Sequence, residues 1–153
     1  MSARRPRPVP PPIGRYSNAR AIPVGDATLL FLSGIAALGE HPFDVERQAE
    51  SIFRSMARLL KAHGGELSHL VKITAFLADI RGEYERYNRV RNRVFRDVPV
   101  PPASSSVGIT MNLSAELRIE IEGIAVIPAR AAPPAVARPV RAATARKPRG
   151  KRR

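Results

Sequence analysis

The chain has 153 residues, which is enough for one domain of ordinary size and not for two. It contains no cysteine, and this excludes disulfides, a thiol nucleophile and a cysteine-based metal site. The formal net charge is +13, but residues 21–128 carry only twelve of the 26 Lys/Arg together with all 13 Asp/Glu. The basicity therefore belongs to the two ends of the chain, where it bears on partners and solubility and not on the fold.

Two segments of biased composition flank the central part. Residues 1–12 are rich in Pro and Arg and predict a disordered arm. Residues 129–153, rich in Ala, Pro, Arg and Lys, have no apolar periodicity and predict a disordered basic tail. The longest apolar run, Ala27–Leu32, is too short to cross a membrane, and no apolar segment follows the basic N-terminus as in a secretory signal. We therefore expect one domain over residues 13–128 in a cytoplasmic protein with no membrane partner.

The central part carries regular apolar patterns. The predicted elements, in chain order, are strands at Ala19–Val24 and Ala27–Ser33, a loop at 34–42, a helix at 44–63, a strand at Val71–Leu77, a helix at about 82–96, and strands at Ser105–Thr110 and Glu116–Ile127. Gly25-Asp26 is typical of a hairpin turn, Asp44 offers an N-cap, and Gly64-Gly65 offers a left-handed helix stop. This order predicts an α+β two-layer sandwich in which two helices cover one face of a mixed sheet. The other sheet face then needs a partner.

Four short motifs in a fixed order point to a family. They are Gly14-Arg15-Tyr16-Ser17, Leu32-Ser33-Gly34, the segment from Pro102 to Gly108, and the segment from Arg118 to Ala125, in which Ile alternates with charged residues. In this combination the chain resembles the RidA/YjgF family, also called L-PSP endoribonucleases. The resemblance covers residues 13–128 and implies a RidA/chorismate-mutase-like homotrimer with ligand sites in clefts between subunits. It implies either an enzyme acting on a small enamine, imine or carbonyl metabolite with altered specificity, or a non-catalytic binder of such a metabolite.

The resemblance also assigns roles to individual residues. Glu120 corresponds to a glutamate that places the attacking water in deaminating members, and Tyr16 to a tyrosine that borders the cleft. Ser33 and Asn88 also match family positions and are candidate substrate-binding residues. Ser104 and Ser105, which could line the site, and Arg15, which could reach into it, are further candidates for substrate binding. Simpler interpretations remain open: an outward charge at Glu120 paired with Arg118 or Arg89, a core-capping Tyr16, an exposed polar Asn88, and a polar strand start at the serine run.

Ser104 stands where the family carries the arginine of its Pro-Ala-Arg motif, which holds the substrate carboxylate during imine hydrolysis. A guanidinium can donate two parallel, charge-assisted hydrogen bonds, whereas a serine hydroxyl donates one neutral bond. Losing such a contact in a desolvated site costs about 2–5 kcal/mol. The sequence therefore predicts an inefficient 2-imino-acid deaminase, unless Arg15 or Arg118 reaches the site. Ile35, in place of the family's Gln, makes the pocket less polar.

The sequence offers no cofactor motif. His41, His63 and His69 have no metal-ligand spacing, and the glycines form no phosphate-binding loop. We therefore expect neither a metal nor a nucleotide cofactor, and a small molecule as the ligand.

A second function class follows from the basic ends, which suit nonspecific binding of nucleic acid or another polyanion. Such binding should weaken steeply as salt is raised and should not depend on base sequence, because it releases counterions from phosphates. Deleting residues 1–12 and 129–153 should abolish the binding, measured by fluorescence anisotropy of a labelled oligonucleotide, and leave the circular dichroism spectrum of the domain unchanged. Equal binding by the trimmed chain would assign it to another surface.

Overall fold

The computed structural model describes residues 11–129, in which two helices pack on a five-stranded sheet. The strands are β1 (Ala19–Val24), β2 (Ala27–Ala36), β3 (Leu70–Leu77), β4 (Ala103–Gly108) and β5 (Ile119–Pro128); the helices are α1 (Val45–Ala62) and α2 (Ile80–Val94), and a 3₁₀ turn (Leu67–His69) precedes β3. The sheet order is β1-β2-β5-β3-β4, and only β3 and β4 run parallel. The predicted α+β fold with a mixed sheet is confirmed. The predicted arm and tail lie outside the described residues, apart from residues 11, 12 and 129.

Helix α1 begins and ends at the predicted signals. The Asp44 carboxylate accepts hydrogen bonds from the backbone N–H groups of Glu46 and Arg47, both at 3.2 Å, and so caps the first turn. At the other end Gly64 has φ +82°, and Gly65 N donates to Leu60 O at 2.8 Å. A side chain at Gly64 would be strained in this left-handed conformation, so the sequence itself fixes the helix end.

The two faces of the sheet have different environments. The face toward the helices is apolar and closed: Leu30, Ile73 and Ile121 are fully buried there, and the rings of Phe53 and Phe95 meet edge to face at 5.5 Å. We call the opposite side the open face, and it carries Leu29, Phe31, Phe76, Val107, Glu120, Glu122, Ile124 and Val126. Within residues 11–129 no helix covers this face.

Several boundaries differ from the predicted ones. Strand β2 continues through Ala36, with a register shift between Leu32 and Ile35, so the loop predicted from residue 34 begins three residues later. Strand β5 begins at Ile119 and not at Glu116. In β3 a bulge between Leu70 and Lys72 changes the alternation. Leu70 is consequently buried, whereas Val71 is 47% exposed.

The second helix and the strand after it are also shifted toward the N-terminus. Helix α2 begins at Ile80 because the Asp79 carboxylate accepts a hydrogen bond from Gly82 N at 3.0 Å. Strand β4 occupies Ala103–Gly108, two residues before the predicted Ser105–Thr110. It pairs with β3 from Lys72↔Ala103 to Leu77↔Gly108, and this register brings Ser104 into the sheet.

Gln48, a fully buried amide on α1, ties the helix to two loops. Its Nε2 donates to the carbonyls of His41 and Glu116 at 2.9 and 2.8 Å. Its Oε1 accepts from the backbone N–H of Arg118 at 2.8 Å. The amide thus pairs the backbone N–H of Arg118 and gives each of the two carbonyls a second hydrogen bond, and it fixes the segment leading into β5.

Replacing Gln48 should therefore destabilise the fold, even where the new side chain preserves the apolar packing. Gln48→Met keeps the volume but leaves the backbone N–H of Arg118 without a partner and removes one of the two bonds that each carbonyl accepts, and we expect the free energy of unfolding to fall by about 1–3 kcal/mol. Urea denaturation measures the change. The exposed Arg54→Met on the same helix is the control and should change it by less than about 0.5 kcal/mol. Equal curves for the two variants would contradict the role of the amide.

Candidate functional site

The first group of predicted site residues lies where α2 approaches β4. Ser104 pairs with the fully buried Ile73 of the parallel neighbour β3, so the two side chains lie on the helix-facing side. Arg91 of α2 reaches the serine: its Nη1 donates to Ser104 Oγ at 2.8 Å, and its Nη2 donates to Asn88 Oδ1 at 2.5 Å. We call Tyr87, Asn88, Arg91, Ser104 and Ser106 the α2–β4 cluster.

The cluster contains unpaired groups beside a positive charge. The guanidinium carbon of Arg91 lies 5.5 Å from the centroid of the Tyr87 ring, a cation–π arrangement. Tyr87 is fully buried, and burial raises the pKa of its hydroxyl, which keeps the ring neutral. Ser104 and Arg91 lie close enough to the Tyr87 hydroxyl to oppose part of this rise, although the hydroxyl makes no hydrogen bond of good geometry. Ser106 Oγ is buried with no hydrogen-bond partner in the described chain. The cluster therefore holds a cation together with hydroxyls whose hydrogen-bonding capacity is only partly used.

The charge of Arg91 is not neutralised within the described residues. Three nearby arginines of α2 contact glutamates of α1: Arg86 and Arg89 pair with Glu46, and Arg93 pairs with Glu50. No acidic side chain in residues 11–129 forms an ion pair with Arg91. The cation at Ser104 is consequently available to an anion from outside.

The second group surrounds Glu120 on the open face. Glu120 lies between Ile119 and Ile121, which are fully buried against the helices, so its side chain points the other way. Gly34 of β2 leaves the room for it, since a Cβ built at this position would overlap the carboxylate. We call Gly34, Asn112, Glu120 and Glu122 the Glu120 cluster.

The surroundings of Glu120 disfavour its charge. Partial burial raises the pKa of the carboxyl above its usual value, and repulsion from Glu122 raises it further. The amide of Asn112 lies close enough to oppose part of this rise, although its Nδ2 makes no hydrogen bond of good geometry. A carboxylate with a raised pKa is a stronger base, which suits the removal of a proton from water.

The remaining predicted residues have other positions. Ser33 Oγ donates to the Ser17 carbonyl at 2.6 Å and holds the segment before β1 against β2. Ser105 lies on the open face, where its hydroxyl accepts a bond from Lys72 Nζ at 2.6 Å. Tyr16 is 49% exposed, and Arg15 is exposed beside it.

The arginines proposed as partners of Glu120 or as substitutes at Ser104 are also accounted for. Arg118 Nε donates to Glu83 Oε1 at 2.8 Å, and this interaction raises the pKa of Arg118. Arg89 pairs with Glu46. The interpretation of Glu120 as a charge paired with either arginine is therefore wrong, and Arg118 does not reach Ser104.

A single chain brings only part of the predicted site together. Asn88 and Ser104 are joined through Arg91, but Glu120 lies on the opposite sheet face. Tyr16 precedes β1, and β1 and β4 are the two edges of the sheet, separated by four strand spacings or about 19 Å. The two clusters cannot contact one small ligand within the same chain.

Arg91 is the functional candidate that the sequence prediction missed. The helical periodicity of α2 puts Arg91 on the same stripe as the buried Tyr87 and Val90, a position at which the pattern alone predicts a core residue. The sequence does carry a signal for it: residues three and four apart on a helix are neighbours, so Arg91 lies beside Asn88 and Tyr87. Only the register of β4 against β3 identifies its partner as Ser104.

No group of three His, Asp or Glu residues within residues 11–129 is arranged to hold a metal ion. None of the helices in this described part is long and apolar enough to cross a membrane.

Comparison with known proteins identifies the family. The model of the endoribonuclease L-PSP family matches residues 7–127, and the chain belongs to this family, which is also called RidA/YjgF. Protein DfrA of Myxococcus xanthus is 36% identical over 76% of this chain and 88% of the relative. The 2-iminobutanoate/2-iminopropanoate deaminase of Dermatophagoides farinae is 31% identical over 77% of this chain and 90% of the relative. The crystal structure of Escherichia coli TdcF with bound serine is 27% identical, with a TM-score of 0.65 over 77% of this chain and 92% of that chain.

The raised pKa of Glu120 makes stability depend on pH. Because the folded pKa lies above the unfolded one, the folded state binds the proton more tightly, and the free energy of unfolding falls as pH rises from the unfolded pKa through the folded pKa. Glu120→Gln removes this loss. The variant should be more stable than the native chain at neutral pH and lose that advantage near pH ~3.5, below the ordinary carboxyl range. Thermal melts at both pH values test this, with the exposed Glu85→Gln as control; an advantage that does not change with pH would contradict it.

Proposed function

We propose that the protein binds a small carboxylate-bearing imine or enamine between neighbouring copies of the chain and hydrolyses it. The observation that carries the proposal is the division of the site residues into two clusters on opposite faces of one sheet. Each cluster is chemically incomplete alone: one has a cation and hydroxyls, and the other has a base. A second copy that places its α2–β4 cluster against the Glu120 cluster supplies both to one ligand.

The reaction requires a water molecule to attack the carbon of a C=N bond. Glu120 accepts a proton from this water while the water oxygen adds to the carbon. Glu120 then returns the proton to the amine nitrogen, and the C–N bond breaks to release ammonia. The products are a 2-oxo acid and ammonium. The partial burial that raises the pKa of Glu120 supports its part as the base.

The kind of substrate is supported by the cluster charge and by the relatives. Arg91 is a cation without an acidic partner in the described chain, which favours an anionic ligand. The relative from Dermatophagoides farinae is named for 2-imino acids, and the Escherichia coli structure contains serine, a small molecule with a carboxylate. Ser104 alone donates one neutral hydrogen bond, so efficient deamination depends on the nearby cation.

The assembly we propose is a homotrimer built on the open face. Phe31, Val107 and Val126 are each about 40% exposed there in the single chain, and burying such side chains favours association by about 25 cal/mol per Å² of apolar surface. Partners that pack on this face lie directly against Glu120. The alternative of a non-catalytic binder uses the same site, and polyanion binding through the chain ends stays a separate prediction.

Subunit complementation tests the shared site. Glu120→Gln removes the base of one half, and Ser104→Asp places a carboxylate beside Arg91 in the other half, so each variant alone should hydrolyse imines poorly. If the two are unfolded, mixed equally and refolded, about a quarter of the sites in randomly mixed trimers should receive both native halves and regain activity. The imine is generated in situ by an amino-acid oxidase, and ammonia release is measured.

Two controls make the result specific. Gly34→Val displaces the Glu120 carboxylate and lies in the same half, so mixing it with Glu120→Gln should restore nothing. The full-length native chain should sediment at about three times its 16.7 kDa mass. A monomer, or a mixture of the two halves that recovers no activity, would overturn the shared site.

A further inference from the structure

We propose that Arg91 is the residue that binds the substrate carboxylate, and that it does so from helix α2 with the hydroxyls of the α2–β4 cluster beside it. The inference deepens the proposed function and rests on it for the nature of the substrate. Strand β4 carries serines at positions 104–106, so Arg91 is the residue that selects anionic ligands here.

The hydrogen-bonding capacity of Arg91 is only partly used. A guanidinium has five N–H donors, and two are engaged, by Ser104 Oγ and Asn88 Oδ1. Neither acceptor is charged, so the positive charge is retained. The remaining donors suffice for the two parallel bonds that a carboxylate accepts.

The side chain is also held in place before a ligand arrives. Asn88 and Ser104 fix the two terminal nitrogens, and the Tyr87 ring lies 5.5 Å from the guanidinium carbon. These three contacts come from both the helix and the strand, so the guanidinium is oriented at the edge of the sheet. Asn88 is accordingly a positioning residue, and less conformational entropy is lost when an anion binds.

A second observation points independently to a polar ligand. Ser106 Oγ is buried without a hydrogen-bond partner in the described chain, and the Tyr87 hydroxyl, near Ser104 and Arg91, makes no hydrogen bond of good geometry. Ser106 pairs with the fully buried Ala75 and so lies on the same sheet side as Ser104. A buried hydroxyl without a partner destabilises the fold unless a ligand supplies one. A carboxylate at Arg91 has oxygen lone pairs to satisfy such donors.

The test measures binding of 2-oxobutanoate, a stable carbonyl analogue of a 2-imino acid, to the full-length chain by calorimetry. Its neutral methyl ester is the reference ligand. Arg91→Met should weaken 2-oxobutanoate binding at least tenfold and leave ester binding within twofold of the native value. Arg91→Lys retains the charge without the forked geometry and should give an intermediate affinity. Arg89→Met is the matched control: Arg89 lies two residues before Arg91 and pairs with Glu46, so its replacement should change neither affinity.

A relocation variant separates anion binding from damage to the fold. The double variant Arg91→Met/Ser104→Arg returns a guanidinium to the same place from β4. At least half of the change in log Kd for 2-oxobutanoate that Arg91→Met causes should then be reversed. Equal 2-oxobutanoate affinity of the native chain and the Arg91→Met variant would overturn the inference, as would no binding by the native chain.

The outcomes distinguish the inference from the proposed function. If the native chain binds 2-oxobutanoate through Arg91 but hydrolyses no imine, the carboxylate site stands and the hydrolase assignment fails. If the native chain hydrolyses imines and Arg91→Met leaves the KM unchanged, the hydrolase stands and the role of Arg91 fails.

Discussion

The structure depends on one constraint: two helices cover a single face of a five-stranded sheet. Alternation along each strand then sends every second side chain to the core and the others to the open face. On β5 this separates Ile119 and Ile121 from Glu120, and on β4 it separates Ser104 from Ser105. Residues that are neighbours in sequence therefore serve different surfaces, and a site that uses both surfaces requires more than one copy of the chain.

The parallel crossover through α2 determines what stands beside Ser104. Because β3 and β4 are the one parallel pair in the described sheet, the chain must return along its face, and α2 makes this return. The helix lies over the strand it leads into, so residues on its inner stripe meet the helix-facing side chains of β4. Arg91 contacts Ser104 for this reason, although thirteen positions separate them in sequence. Because of this connection, an arginine on α2 and an arginine on β4 could each place a cation where the helix meets the strand.

Much of the fold was predictable because its signals are local. The cap at Asp44, the stop at Gly64 and the alternation in β5 each act within a few residues, and the structure has the elements they predict. The bulge that buries Leu70 and exposes Val71 was not predictable, because it arises from pairing between β3 and β5. The same limit applies to the site. The resemblance supplied Glu120 and Asn88, but the link between Arg91 and Ser104 depends on strand register, which no local pattern encodes.

The Glu120 cluster carries a cost in stability. Gly34 gives up a side chain within β2, a substitution that weakens a strand, and the space it leaves is filled by a carboxylate. That carboxylate lies near a second acid and is partly buried, and both effects raise its pKa and penalise its charged form. An apolar residue at position 120 would avoid the burial of a charge and the repulsion from Glu122 while keeping the sheet. The arrangement stabilises the protonated acid relative to the carboxylate, and this is the property that a base for water activation needs.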